Sequence, residues 1–185
     1  MIIAIDAGHG HKRNMPTGAR AGKLVEDDIA LTIAHKVRWY LLDRGHHVIM
    51  TRPGKQFVEL KERPKIAKQG KADLFLSIHC NAAANPVARG AEAFVVERDM
   101  RSCTVAQKLV NAVVADGMGY RGVRWDSQSQ HKSLYVLRNT YSRMPAVLLE
   151  IGFLTSPVDA ALLADSDWIE RVSLRLADAV NKLDL

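Results

Sequence analysis

Aromatic residues are scarce in this chain, at 6% of 185 residues, and only two residues are cysteine. Two thiols build no disulfide framework, which excludes a small scaffold that depends on such staples. No apolar run approaches the ~20 residues of a bilayer-spanning helix, so a transmembrane segment is excluded as well. Glycine (12) and proline (6) are too few for collagen or a low-complexity linker. No internal repeat or shift in composition marks a domain boundary. The opening Met1-Ile2-Ile3-Ala4-Ile5-Asp6 lacks the basic region and long apolar stretch of a signal peptide, and reads as a strand. The expectation is one domain over residues 1–185, made in a reducing cytoplasm and confined there until something releases it.

What the chain does have is enough apolar residue, 48%, to bury a single sizeable core. Its 26 basic and 20 acidic side chains leave a net charge of +6. That surplus favours electrostatic contact with polyanions such as anionic envelope polymers. Short apolar runs alternate with stretches of helical period, the pattern of an α/β domain. Strands are expected at Ile2–Asp6, His47–Thr51, Leu74–His79, Ala91–Val96, Leu134–Leu137 and Ala146–Ile151. Helices are expected at about Glu26–Arg44, Leu60–Gln69, Ser102–Met118 and Asp167–Leu183. The fold class is therefore α/β, a mostly parallel or mixed sheet of about six strands flanked by helices. His11–Lys23 and Tyr120–Ser133 lack period and read as long loops, a common place for function.

Three expected strands end in groups that ligate metals or move protons. Ile2–Asp6 runs into Ala7-Gly8-His9-Gly10, Leu74–Ile78 into His79-Cys80-Asn81, and Ala146–Leu149 into Glu150. If these strands are parallel, His9, His79 and Glu150 meet at the carboxyl edge of the sheet, where open α/β folds place their sites. Glu26, at the start of the first helix, faces the same edge. Two imidazoles and a carboxylate suit tetrahedral Zn²⁺ with one open position, and a second carboxylate beside it suits a base. Position points to His9, Glu26 and His79 as ligands with Glu150 as the base, although residue chemistry alone does not separate the two glutamates. Glu150 follows Ala-Val-Leu-Leu, a run that should be buried, and a buried carboxylate without a partner is costly.

Four blocks carry a resemblance: Ile3-Ala4-Ile5-Asp6-Ala7-Gly8-His9-Gly10, Gly22-Lys23-Leu24-Val25-Glu26, Leu76-Ser77-Ile78-His79-Cys80-Asn81-Ala82, and Pro145 through Leu154. In this order they resemble the signature blocks of the zinc-dependent N-acetylmuramoyl-L-alanine amidases, the amidase-3 family. The resemblance implies a single Zn²⁺ on His9, Glu26 and His79, with Glu150 as the catalytic carboxylate. It implies peptidoglycan as substrate, cut between the lactyl group of N-acetylmuramic acid and L-Ala of the stem peptide. Thr51-Arg52 and Arg63 resemble the family too, without an evident role.

The loop His11–Thr17 departs from the family pattern and makes His11 an additional polar group near the site. Cys80 is expected to be a buried thiol, since its side chain alternates with that of His79. Asn81, Arg121 and Arg124 are the candidate substrate contacts, the arginines on a polar loop with Trp125 and His131. A phage or prophage endolysin acting on the wall after release is the favoured setting, and a bacterial wall-remodelling amidase is the alternative. A carboxypeptidase- or aminoacylase-like zinc hydrolase and a non-catalytic basic binding module are the rival classes; nucleic acid is not an expected partner.

Overall fold

The computed structural model describes all 185 residues, and its order of elements follows the alternation read from the sequence. The sheet strands are β1 (Ile2–Ala7), β6 (His47–Met50), β7 (Leu74–Asn81), β8 (Ala91–Val95), β9 (Tyr120–Trp125) and β10 (Ala146–Phe153). Two-residue strands β2 to β5, at His11–Lys12, Met15–Pro16, Arg20–Ala21 and Leu24–Val25, form two small antiparallel hairpins. The helices are α1 (Glu26–Asp43), α2 (Glu62–Gln69), α3 (Met100–Val114), α4 (Tyr135–Arg138), α5 (Pro157–Ala164) and α6 (Ser166–Asn181). No helix is long and apolar enough to cross a membrane.

The strands lie in the order β6-β1-β7-β10-β8-β9. The first four are mutually parallel, and β8 pairs antiparallel with β10 while β9 runs parallel to β8. β1, β7 and β10 are buried almost throughout, as expected of strands covered on both faces. Alternation then sorts their side chains. Ile3, Ile5, Leu74, Leu76, Ile78, Val147 and Leu149 enter the larger core with α1, α3 and α6. Ala4, Phe75, Ala146 and Leu148 enter a smaller core that includes α2 and α4 residues. Asp6, Ser77, His79 and Glu150 share the parity of that second set, so polar chemistry sits on the thinner face at the carboxyl edge.

Two expectations are corrected, and one helix is added. Tyr120–Trp125 is not loop but the edge strand β9; polar Arg121 and Arg124 with Gly122 obscure the alternation. Leu134–Leu137 is not a strand: the run turns into the single helical turn α4, held by Asp126, which accepts from Leu134 N and from the Arg138 guanidinium. Helix α5 is the addition: Ser156-Pro157 is a start signal, and the Ser156 hydroxyl accepts from Asp159 N. His11–Lys23 is loop-like apart from its two hairpins.

A buried charge network fixes the end of β1. Asp6 accepts from Thr51 Oγ1 (2.5 Å), Ser77 Oγ (2.7 Å) and Arg63 Nη1 (2.8 Å). Burial alone would raise its pKa, but the Arg63 guanidinium, the Ser77 and Thr51 hydroxyls and the charge of His79 together hold it below the ordinary value. Arg63 also donates to the carbonyls of Ala7, His9 and Val58, and Arg52 to those of Ala7, Gly8, Asp27 and Gly54. Both guanidiniums are buried, and almost every donor has a carbonyl or carboxylate in reach.

Asp6→Asn leaves Arg63 buried without its countercharge, and chemical denaturation should show a loss of about 3–5 kcal/mol. Because the folded pKa lies below the unfolded one, the parent's contribution from Asp6 is complete above pH ~4 and disappears as pH falls through the folded value. A loss below ~1 kcal/mol would show that the carbonyl partners suffice for Arg63.

Candidate functional site

Parallel pairing of β1 with β7 and of β7 with β10 brings the strand ends together. His79 and Glu150 are direct register partners on one face. His9 follows β1 in the left-handed region at φ 60°, and its carbonyl is held by Arg63 at 2.5 Å. Glu26 opens α1 together with Asp27 and Asp28, three acids at the positive end of the helix dipole. The early glycines are required by close approach. A Cβ on Gly8 would stand 2.4 Å from the His79 ring, and one on Gly18 would crowd Glu26 and His9 at 3.0 and 3.1 Å.

Glu26 is the meeting point. Its Oε1 lies 3.0 Å from His9 Nε2 and 2.9 Å from His79 Nδ1, and accepts from Cys80 N at 3.2 Å. Its Oε2 accepts from Ala19 N at 2.8 Å. Burial works to raise its pKa, yet the hydrogen bonds and charges of His79 and His9 hold the carboxyl far below its usual range. The imidazoles stand edge to face with centroids 4.9 Å apart.

Donor atoms of His9, Glu26 and His79 all lie within 4.8 Å of one another, the one such cluster in the molecule. Ligand bonds of about 2.0–2.2 Å at tetrahedral angles separate donors by ~3.3–3.6 Å. Two imidazoles and a carboxylate gathered beside the cavity, with Glu26 Oε1 slightly closer to both rings than that range, could hold a divalent metal ion after a small separation of the donors.

Glu150 differs from Glu26 in every respect that sequence could not show. Its Oε2 is buried with no hydrogen-bond partner. Burial, and then the negative charges of Glu26 and Glu92, push its carboxyl well above the usual range. It opens onto a cavity of 670 Å³ whose lining includes all three cluster residues, Asn81, Phe57, Leu60, Tyr135 and His131. The two glutamates are thereby told apart: one is saturated with partners, while the other lines the cavity with an unpartnered oxygen and its charged form disfavoured by burial.

The remaining candidates fall in two places. Asn81 lines the cavity, and its Nδ2 donates to Glu92 Oε1 at 2.8 Å. Arg121 and Arg124 are not among the lining residues; they turn to Glu92 Oε2, with Nε at 3.0 and 2.9 Å, and Arg121 stacks over Phe153. The polar loop does reach the cavity, but through Gln130, His131 and Ser133. Cys80 is buried, and its burial with the charges of Glu26 and Glu150 raises its thiol pKa, which disfavours the ligating thiolate. Glu92 and Asp6 were not singled out from sequence, although a lone acid inside an apolar strand run is a readable sign of a buried partner.

A family model described as N-acetylmuramoyl-L-alanine amidase matches residues 3–182. The chain is 33% identical to the endolysin of Bacillus phage SPP1 over 185 residues, spanning 98% of this chain and 65% of that protein's length. It is 29% identical over 186 residues to the germination-specific N-acetylmuramoyl-L-alanine amidase of Bacillus subtilis, spanning 93% of this chain and 75% of that one. Among solved structures, the catalytic domain of CwlV, an N-acetylmuramoyl-L-alanine amidase from Bacillus (Paenibacillus) polymyxa var. colistinus, matches with a TM-score of 0.85. That match has 34% identity and covers 97% of this chain and 95% of the other. With the four sequence blocks gathered at one sheet edge and a match over nearly every residue, the chain belongs to the N-acetylmuramoyl-L-alanine amidase family.

Proposed function

We propose that this chain is a zinc-dependent amidase of peptidoglycan, hydrolysing the bond between the lactyl carbonyl of N-acetylmuramic acid and the nitrogen of L-Ala. The observation that carries the reading is the pairing of a saturated cluster, His9, Glu26 and His79, with an orphan carboxyl, Glu150, on one cavity wall. Zinc held by the three residues would supply a Lewis acid that acidifies water and polarises the amide carbonyl. Glu150 accepts the proton of the attacking water and passes it to the departing amide nitrogen, which leaves poorly unless protonated. Its carboxyl suits this shuttle, since it lines the cavity and its buried Oε2 ties it to no neighbouring donor. Glu26 stays ionised throughout, fixed by both imidazoles and Ala19 N. Asn81, tied to Glu92, is one of the neutral donors that line the cavity.

The proposed setting is a phage or prophage endolysin that acts on the wall after release, a reading supported by the identity with the SPP1 endolysin. Cytoplasmic production should then leave host cells intact until the membrane is permeabilised. A daughter-separation defect on deletion of the gene would point instead to wall remodelling.

Digestion of purified sacculi should free the amino group of L-Ala without new reducing sugar ends, read by mass spectrometry of the products. Chelation should abolish this and zinc restore it. New reducing ends, or cuts inside the stem peptide, would overturn the assignment. Glu150→Gln should retain one zinc per chain while the rate falls by about 10²–10⁴-fold; turnover near the parent's would remove Glu150 from the shuttle.

Burial of Glu150 also has a stability signature. The folded pKa lies above the unfolded value of about 4.3, so the folded state binds the extra proton and metal-free stability falls as pH rises past that value. Metal-free Glu150→Gln should therefore be more stable than the metal-free parent at pH 7, with the gain vanishing near pH 4. An equal gain at both pH values would contradict this origin.

A further inference from the structure

On the outer side of the His9 loop lies a polar pair that the proposed reaction does not use. His11 Nε2 is 3.4 Å from Asp27 Oδ2 and 3.7 Å from Asp28 Oδ1. The Asp27 side chain is 1% exposed, and neither of its oxygens nor His11 Nε2 has a hydrogen-bond partner. Asp28 Oδ1 is also buried without a hydrogen-bond partner and lies between His11 and Lys55, whose Nζ stands 2.8 Å away. A buried carboxylate without a partner is costly, and attraction to a facing donor is strengthened where water is excluded. His11 is the imidazole that faces Asp27, and the buried Arg52 guanidinium is a second positive charge near it.

The pair sits where three segments meet. His11 N donates to Lys55 O at 2.6 Å, and Phe57 N donates to His11 O at 3.1 Å. Arg52 Nη2 bridges the carbonyls of Gly8 and Asp27. His11 lies two residues beyond His9, and Asp27 one beyond Glu26. The intervening loop is not relaxed: His9 holds φ 60°, and a Cβ on Gly10 at φ 134° would stand 2.6 Å from Gln56 O. Such conformations persist only where the surroundings over-determine them.

We infer that His11 and Asp27 form a positioning pair whose attraction sets the spacing between His9 and Glu26, and hence the affinity for zinc. This rests on the reading of His9, Glu26 and His79 as ligands. Neither His11 nor Asp27 touches the ion; each acts through the ligand beside it in the chain. Residues that orient ligands in this way characteristically change metal affinity by 10–100-fold when removed.

The test measures zinc affinity of the full metal-free chain by competition with a chromophoric chelator, alongside the metal-free melting temperature. The variants are His11→Ala, His11→Gln and Asp27→Asn. The parent should bind one zinc. His11→Ala and Asp27→Asn should each weaken binding by ~10–100-fold, the double variant little more than either alone. His11→Gln, which keeps an N–H at similar reach, should recover part of the loss. Affinities within twofold of the parent overturn the inference, as does a lowered metal-free melting temperature with unchanged affinity. A second zinc on the parent that His11→Ala abolishes also overturns it, making His11 a ligand in its own right. A parent that takes up no zinc is a separate result, since it removes the ligand reading itself and this inference with it.

Discussion

Three segments widely separated in the chain converge on a single oxygen, Glu26 Oε1, with both imidazole nitrogens within 3.0 Å of it. Such a meeting is unfavourable to assemble, because a carboxylate must be taken out of water and two rings held rigid beside it. Most of the fold near the carboxyl edge answers that cost. The β1–β7 register places His9 and His79 at neighbouring strand ends, and helix α1 presents Glu26 at the end of its dipole where negative charge is favoured. Buried Arg52 and Arg63 bind the carbonyls of residues 7 to 9, so the loop carrying His9 is gripped by its backbone instead of by its side chains. Asp6 in turn supplies the charge that lets Arg63 be buried.

The two faces of the sheet have unequal duties. The α1, α3 and α6 face is almost wholly apolar and holds the larger core. The α2 and α4 face has a smaller core, and its strand residues nearest the carboxyl edge are Asp6, Ser77, His79 and Glu150 instead of aliphatics. A cavity is open there because the covering helices are short, eight residues and four. Hydrophobic stability and chemistry are thus separated by one pleat, so an unsatisfied carboxyl can be kept on one side while close packing is kept on the other.

The parts of this arrangement legible in the sequence were those where a buried apolar run ends in a group that does not belong in a core. His9, His79 and Glu150 announced themselves in that way, and Glu26 did so as an acid opening a helix of clear period. What sequence withheld was the difference between the two glutamates, because it lies in partners: Ala19 N, Cys80 N and two imidazoles on one side, nothing on the other. Edge strand β9 was hidden for a related reason. An edge strand exposes one face, and here Arg121 and Arg124 cover a buried acid on the neighbouring strand β8 and not a substrate. Leu134–Leu137 failed because four apolar residues carry no period, so the pull of Asp126 on Leu134 N and Arg138 decided its conformation.

Glu92 shows how such a misplacement can still bear on the site. It stands directly opposite Glu150 in the β8–β10 pairing, so an unneutralised charge there would oppose ionisation of Glu150 more strongly. Arg121 and Arg124 both approach one of its oxygens, and Asn81 donates to the other. The arginines therefore act on the cavity at second hand, by tempering the charge beside Glu150 and by fixing the amide of Asn81 that faces the open space. Surface cations that contacted the substrate directly could be exchanged for others at little cost. Cations that set the charge behind a proton-carrying carboxyl cannot, because removing either leaves Glu92 under-neutralised and shifts the group on which the proposed hydrolysis turns.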